Sequence, residues 1–224
     1  MSAGSSLSIA AAEFKVEWRA PIGFVSAALF SLLVLLTQHL VFPGHLVSRP
    51  EIAFAAFFIS AFFAALLAES SRIARDGKTA ALCQLALSAS GSACLFAGKT
   101  AVPFGFICLV EAGLAPFLAV LYNLPVRSSW PAVALLCVLA NLTFAGLTTL
   151  LGAASPAWQG AGRSLSLPLI ILPLALPVLA TASLGAGRVL PGGDFLPYAK
   201  LLLAAAIAVW TVGTIAYGRL IGRG

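Results

Sequence analysis

Six stretches of this chain are apolar over a length that can cross a lipid bilayer as a helix. A spanning helix needs about 20 predominantly apolar residues. The runs lie at 22–41, 52–68, 101–121, 130–151, 165–184 and 199–217. Little sequence is left for a separate globular domain, so residues 1–224 are predicted to form a single transmembrane domain.

The composition agrees with a membrane protein. Hydrophobic residues make up 61% of the chain and charged residues 9%, whereas soluble domains have about 45–50% apolar and about 25% charged residues. Such a chain has too little polar surface to cover a globule in water. We therefore predict an all-α polytopic membrane protein with six spans.

The basic residues are dispersed singly near the ends of the apolar runs. This dispersion is typical of topology signals and not of a phosphate-binding patch, so a nucleic-acid partner is not predicted despite the net charge of +6. With the N-terminus in the cytoplasm, nine Lys and Arg residues fall on the inner side and four on the outer side. The positive-inside rule therefore predicts that both termini are cytoplasmic.

An N-terminal helix is predicted at 7–19, where apolar side chains recur near one face. Such a helix can lie in the membrane interface. A plain cytosolic extension of the first span fits the same pattern.

The segment 69–99, between the second and third spans, holds the densest charge in the chain. Its charged residues within ten positions are Glu69, Arg72, Arg75, Asp76 and Lys78. Charged residues between two spans are expected in water. Arg72 and Asp76 are four residues apart, a spacing that lets them pair on a helix surface.

The second half of this segment predicts a short amphipathic helix. Asp76 and Gly77 form a turn signal, and residues 78–87 then place Leu82 and Leu85 on one side. Two interpretations remain open: a docking site for a soluble partner, or a plain solvated loop.

Glu111 lies near the middle of the third run and Asn141 within the fourth. An ionisable group at that depth is costly and is a functional candidate by default. We expect Glu111 to be protonated and paired inside the bundle, for instance with Asn141. A neutral packing role without any part in transport is the alternative.

Two further features of the spans are candidates for function. Pro173 and Pro177 in the fifth run each leave a carbonyl unbonded and bend the helix, so they are hinge candidates, although such kinks are often static. His39 and His45, near the outer end of the first span, are weak candidates for haem ligation.

The residues offer no sign of an enzyme. Residues 93–100 match the pattern AxxxxGKT, but a phosphate loop follows a strand and needs a free backbone, whereas this stretch precedes a span. The four cysteines show no CxxC spacing, so neither a metal site nor a redox pair is indicated. No catalytic residue and no resident cofactor is predicted.

Several stretches resemble the haem exporter B (CcmB) family, the permeases of the cytochrome c maturation system. Residues 13–19 (EFKVEWR) are similar to the family's basic, aromatic N-terminal helix. Glu69, Arg72 and Asp76-Gly77 resemble its cytoplasmic segment after the second span. Residues 163–181, RSLSLPLIILPLALPVLAT, contain an LPLxxP core that resembles its fifth span. Glu111 has no counterpart in the family's pattern.

The resemblance implies an ABC-2-like (type V exporter-like) permease in the bacterial inner membrane. Two copies would work with a separate ABC ATPase like CcmA, which binds the ATP, beside CcmC- and CcmD-like subunits and a CcmE-like haem chaperone. Haem would be a transported or handled ligand, because the resemblance leaves open whether such a complex moves haem itself or uses ATP to release the haem-loaded periplasmic chaperone. The segment 69–99 would couple the permease to the ATPase. An ABC-2 permease for lipid, polysaccharide or drug, or a non-transporting membrane assembly factor, remains an alternative.

Overall fold

The computed structural model describes residues 21–47, 49–76, 92–124, 130–154 and 163–221. The chain in these ranges forms seven α-helices and no strand. The helices are α1 (Pro21–Val41), α2 (Gly44–Val47), α3 (Pro50–Asp76), α4 (Ser92–Leu121), α5 (Trp130–Ala154), α6 (Arg163–Val189) and α7 (Leu196–Ile221). The helix predicted at 7–19 lies outside the described residues.

Five of the described helices, α3 to α7, are long and apolar enough to cross a membrane. In α1 the described apolar part is the shorter stretch Val25–Val41. The polytopic helical class predicted from the apolar runs is confirmed, whereas the count of six spans stays a prediction.

Successive long helices alternate in direction and give the bundle two ends. The Tyr122 end is where α4 finishes, and the left-handed φ of 47° at Asn123 ends that helix. The Lys99 end is where α3 finishes and α4 begins. There the helices extend beyond the predicted apolar runs 52–68 and 101–121, because α3 continues to Asp76 and α4 starts at Ser92. The charged segment is therefore helical at both of its borders.

Four helices surround a common centre. Both α3 and α5 pack against α4 and α6. Outside this group, α1 packs on α3, and α7 packs mainly on α5. Within the spanning windows, 61% of residues are buried in α3 and in α5 but only 22% in α7, so most of α7 is left to face lipid.

A glycine lets α7 pack closely on α4. A Cβ added at Gly213 of α7 would clash with the Phe96 ring of α4. Nearby, the Trp210 indole N–H donates to the Leu142 carbonyl of α5 at 3.2 Å. Since apolar lipid gives little drive for helices to associate, close backbone approach and such hydrogen bonds hold the bundle together.

Candidate functional site

The central helices enclose a polar cluster around Glu111 of α4. Glu111 is 5% exposed, and Asn141 of α5 is 4% exposed. The Asn141 side-chain amide donates a hydrogen bond of 2.7 Å to Oε2 of Glu111. This is the pairing that the sequence led us to expect, and it links α4 to α5 while giving the buried carboxyl a partner.

Two cysteines complete the cluster, although their place in it was not predicted from the sequence. The Cys137 thiol is hydrogen-bonded to the Glu111 carboxyl, and the Asn141 amide lies 3.5 Å from Sγ of Cys108. Their spacing in the sequence could have indicated that they belong to the cluster. Cys108 precedes Glu111 by three residues and Cys137 precedes Asn141 by four, so each is a helical neighbour of a residue already singled out.

A small cavity lies beside this cluster at the centre of the four helices. Glu111 and Asn141 supply its polar lining, and apolar side chains of α3 to α6 form the remaining wall. The space open to the centre of a water molecule is about 20 Å³. A buried water needs at least about 10–15 Å³ and two to four polar partners. The cavity therefore has room for about one water molecule.

A second cavity of the same size lies toward the Lys99 end. Its polar lining comes from Glu69, Arg72 and Thr148. Phe144 of α5 lines both cavities, and its ring meets that of Phe62 on α3 at 4.9 Å. An aromatic pair thus stands between the Glu111 cavity and the Lys99 end.

Glu69 and Arg72 form a buried ion pair at that second cavity. Nη2 of Arg72 lies 2.6 Å from Oε1 of Glu69, and Nε lies 2.9 Å from Oε2. Arg72 is only 7% exposed and Glu69 only 3%. The expectation that the whole segment lies in water is therefore wrong for these two residues. Because α3 stays helical, the spacing of three residues turns both side chains toward the bundle, where two-point pairing offsets burial.

The other residues assigned to coupling stay predictions. Arg75 and Asp76 form the last part of α3, but their side chains lie outside the described structure. Gly77, Leu82 and Leu85 also lie outside it. The predicted pairing of Arg72 with Asp76, and docking of a partner on this segment, are therefore untested.

Residues 93–100, which match the permissive nucleotide-binding pattern, lie wholly inside α4. The Thr100 hydroxyl donates to the Phe96 carbonyl at 2.7 Å, and Lys99 is 7% exposed. Gly98, Lys99 and Thr100 lie beyond the first turn of α4, where the amides are bonded to the helix's own carbonyls, so this stretch cannot wrap a phosphate as a glycine-rich loop does.

The two hinge candidates lie on an exposed face of α6. Pro173 and Pro177 are both exposed, and α6 continues through them from Arg163 to Val189. The Thr181 hydroxyl donates to the Pro177 carbonyl at 2.7 Å. Bending at these prolines stays a prediction.

The two histidines have different surroundings. The His39 ring packs edge-on against Tyr122, with the centroids 5.0 Å apart. His45 is exposed on α2. In the part of the chain that the structure describes, no three His, Cys, Asp or Glu side chains are grouped to hold a metal ion. A haem-binding role for either histidine stays a prediction.

Comparison with known families gives a match over almost the whole chain. The model of the CcmB protein matches residues 5–222. No curated protein matches the chain.

Proposed function

The chain belongs to the CcmB family, and we propose that it is the membrane permease subunit of an ABC transporter complex for haem export or delivery in c-type cytochrome biogenesis. The observation that carries this proposal is the family match over residues 5–222. The helical bundle with five long apolar helices among the described residues supports it, because a permease must cross the membrane several times.

The proposed complex contains partners that supply what this chain does not. A CcmA-like ATPase would hydrolyse ATP, CcmC- and CcmD-like subunits and a CcmE-like chaperone would handle haem, and two copies of this chain would pair. Exposed apolar side chains on α1 and α6, such as Leu33 and Leu169, suit pairing through these helices. The two water-sized cavities favour transient handling of haem or pure coupling over storage of haem inside the single chain.

We place the Lys99 end of the bundle at the cytoplasm, with both termini on that side. The positive-inside rule supports this orientation. The segment from Glu69 to Lys99 would then face the ATPase. The buried Glu69–Arg72 pair suits a part in fixing the end of α3, which would carry force from residues 75–85 into the bundle.

The isolated chain is expected neither to bind nor to hydrolyse ATP, since residues 93–100 are helical. Together with its ATPase in lipid, it should change the rate of ATP hydrolysis relative to the ATPase alone. Photolabelling with azido-ATP and a phosphate-release assay measure the two quantities. Labelling of the purified chain that is lost in Lys99→Ala would contradict the proposal.

The proposed orientation predicts that Cys83 reacts with a membrane-impermeant thiol reagent in inverted vesicles but not in intact cells. Cys83 lies in the segment between α3 and α4. The protein with Cys83→Ser, which keeps the other cysteines, is the control for labelling elsewhere. Reaction of Cys83 in intact cells would place the segment outside and overturn both the orientation and the coupling role.

A further inference from the structure

We infer that Glu111 is a proton-binding site that exchanges its proton with water at the Lys99 end of the bundle, past the paired rings of Phe62 and Phe144. The proposed role as an ABC permease makes no use of this carboxyl. Proton binding at this one side chain of the folded protein does not depend on the proposed function.

Burial makes the uncharged acid the stable form of Glu111. Its hydrogen-bond partners are the Asn141 amide and the Cys137 thiol, which bring no positive charge. An isolated carboxylate in apolar surroundings costs so much free energy that the group takes up a proton instead. The acid then has an O–H group that needs an acceptor, and the adjacent cavity has room for a water molecule to accept it.

Among the side chains of this cluster, Glu111 is the carboxylic acid, and its titratable neighbours are thiols. Cys108 on α4 and Cys137 on α5 are the titratable side chains that contact it or its partner. From α3 and α6 the cavity wall is apolar, with Phe58 and Ala175 among its residues. The pair Glu69 and Arg72 lines only the second cavity. α1 and α7 meet α4 farther away, at His39 beside Tyr122 and at Trp210 beside Phe96.

The positions of the cavities give the route its direction. Asn141 at the first cavity and Thr148 at the second are seven residues apart on α5, which is roughly 10 Å along the helix. Phe144 lies between them and lines both. Toward the Tyr122 end, by contrast, the core is packed with Leu114, Leu118 and Leu136, each at most 3% exposed. Water therefore has a more polar path from the Lys99 end, where the second cavity interrupts the packing of the core.

The same geometry couples release of the Glu111 proton to movement of the helices. Phe62 belongs to α3 and Phe144 to α5, so separation of these two helices parts the rings and joins the two cavities. Water reaching Glu111 would stabilise its charged form, and the carboxyl would pass its proton to that water. Opening of the bundle at this level is thus accompanied by proton release.

Infrared spectroscopy of the purified full chain in lipid tests the inference. At neutral pH the wild type should show the carbonyl band of an uncharged carboxylic acid, and Glu111→Gln should lack it. In D₂O the band should shift as O–H becomes O–D. This exchange should be about tenfold faster in Phe144→Ala, which corresponds to a barrier lower by about 1.4 kcal/mol. Phe144→Leu, which keeps more of the core volume, should also exchange faster.

Phe117→Ala is the matched control, because Phe117 is 46% exposed on α4 and lines neither cavity. Its exchange rate should equal that of the wild type. A wild-type spectrum identical to that of Glu111→Gln would show a carboxylate and overturn the site. A band that never shifts in D₂O would show that Glu111 is sealed from water and only a packing contact. An exchange rate in the Phe144 variants equal to that of the wild type would refute the route past Phe144.

Discussion

Glu69→Gln is expected to lower the free energy of unfolding by about 3–5 kcal/mol, the usual cost of breaking a buried ion pair by removing one partner. Arg72 would keep its charge at a site where its side chain is 8% exposed. It would lose a carboxylate held at two points, 2.6 and 2.9 Å away. Titration with a denaturing detergent in mixed micelles, followed by circular dichroism, measures the change.

Glu51→Gln is the matched control, since it makes the same change near the other end of α3 on a half-buried side chain. It should cost at most about 1 kcal/mol, the scale of a charge acting at a helix N-terminus. The double change Glu69→Leu/Arg72→Leu should recover most of the loss, because an apolar pair leaves no buried charge. Equal stability of Glu69→Gln and wild type would contradict the buried pair.

The burial of this pair could not be read from the sequence. Charge density after an apolar run indicates where a span ends in general. Whether the helix continues, and which face of it turns inward, depends on the neighbours it packs against. Here α3 runs on to Asp76, and Glu69 and Arg72 line a cavity together with Pro103 and Thr148. Pro103 and Thr148 belong to α4 and α5, so the burial of the pair is visible only once these helices are packed together.

The contact between Glu111 and Asn141 was predictable because both residues lie at the same depth. Glu111 is ten residues before the end of α4 at Leu121, and Asn141 is eleven residues after the start of α5 at Trp130. In two antiparallel helices joined by a short connection, those counts place the residues about 15 Å from the same end. The cavity beside them was not predictable, since it depends on how α3 and α6 close around that pair.

Deletion of the gene is expected to abolish mature c-type cytochromes while sparing b-type haem proteins. The reason is chemical: c-type cytochromes need haem delivered and attached outside the cytoplasm, whereas b-type proteins hold haem without that route. If the chain is the permease of this delivery complex, its loss removes the whole c-type set. A plasmid copy of the gene should restore it, and this is the control for effects on neighbouring genes.

The most direct test of the proposed function is haem staining of membrane proteins after denaturing gel electrophoresis, which detects covalently attached haem. We expect the c-type bands to vanish in the deletion strain and to return with the plasmid, while absorbance of b-type haem in the membranes is unchanged. An unchanged c-type pattern in a deletion strain that has no second copy of the gene would overturn the proposed function and favour an exporter of lipid, polysaccharide or drug.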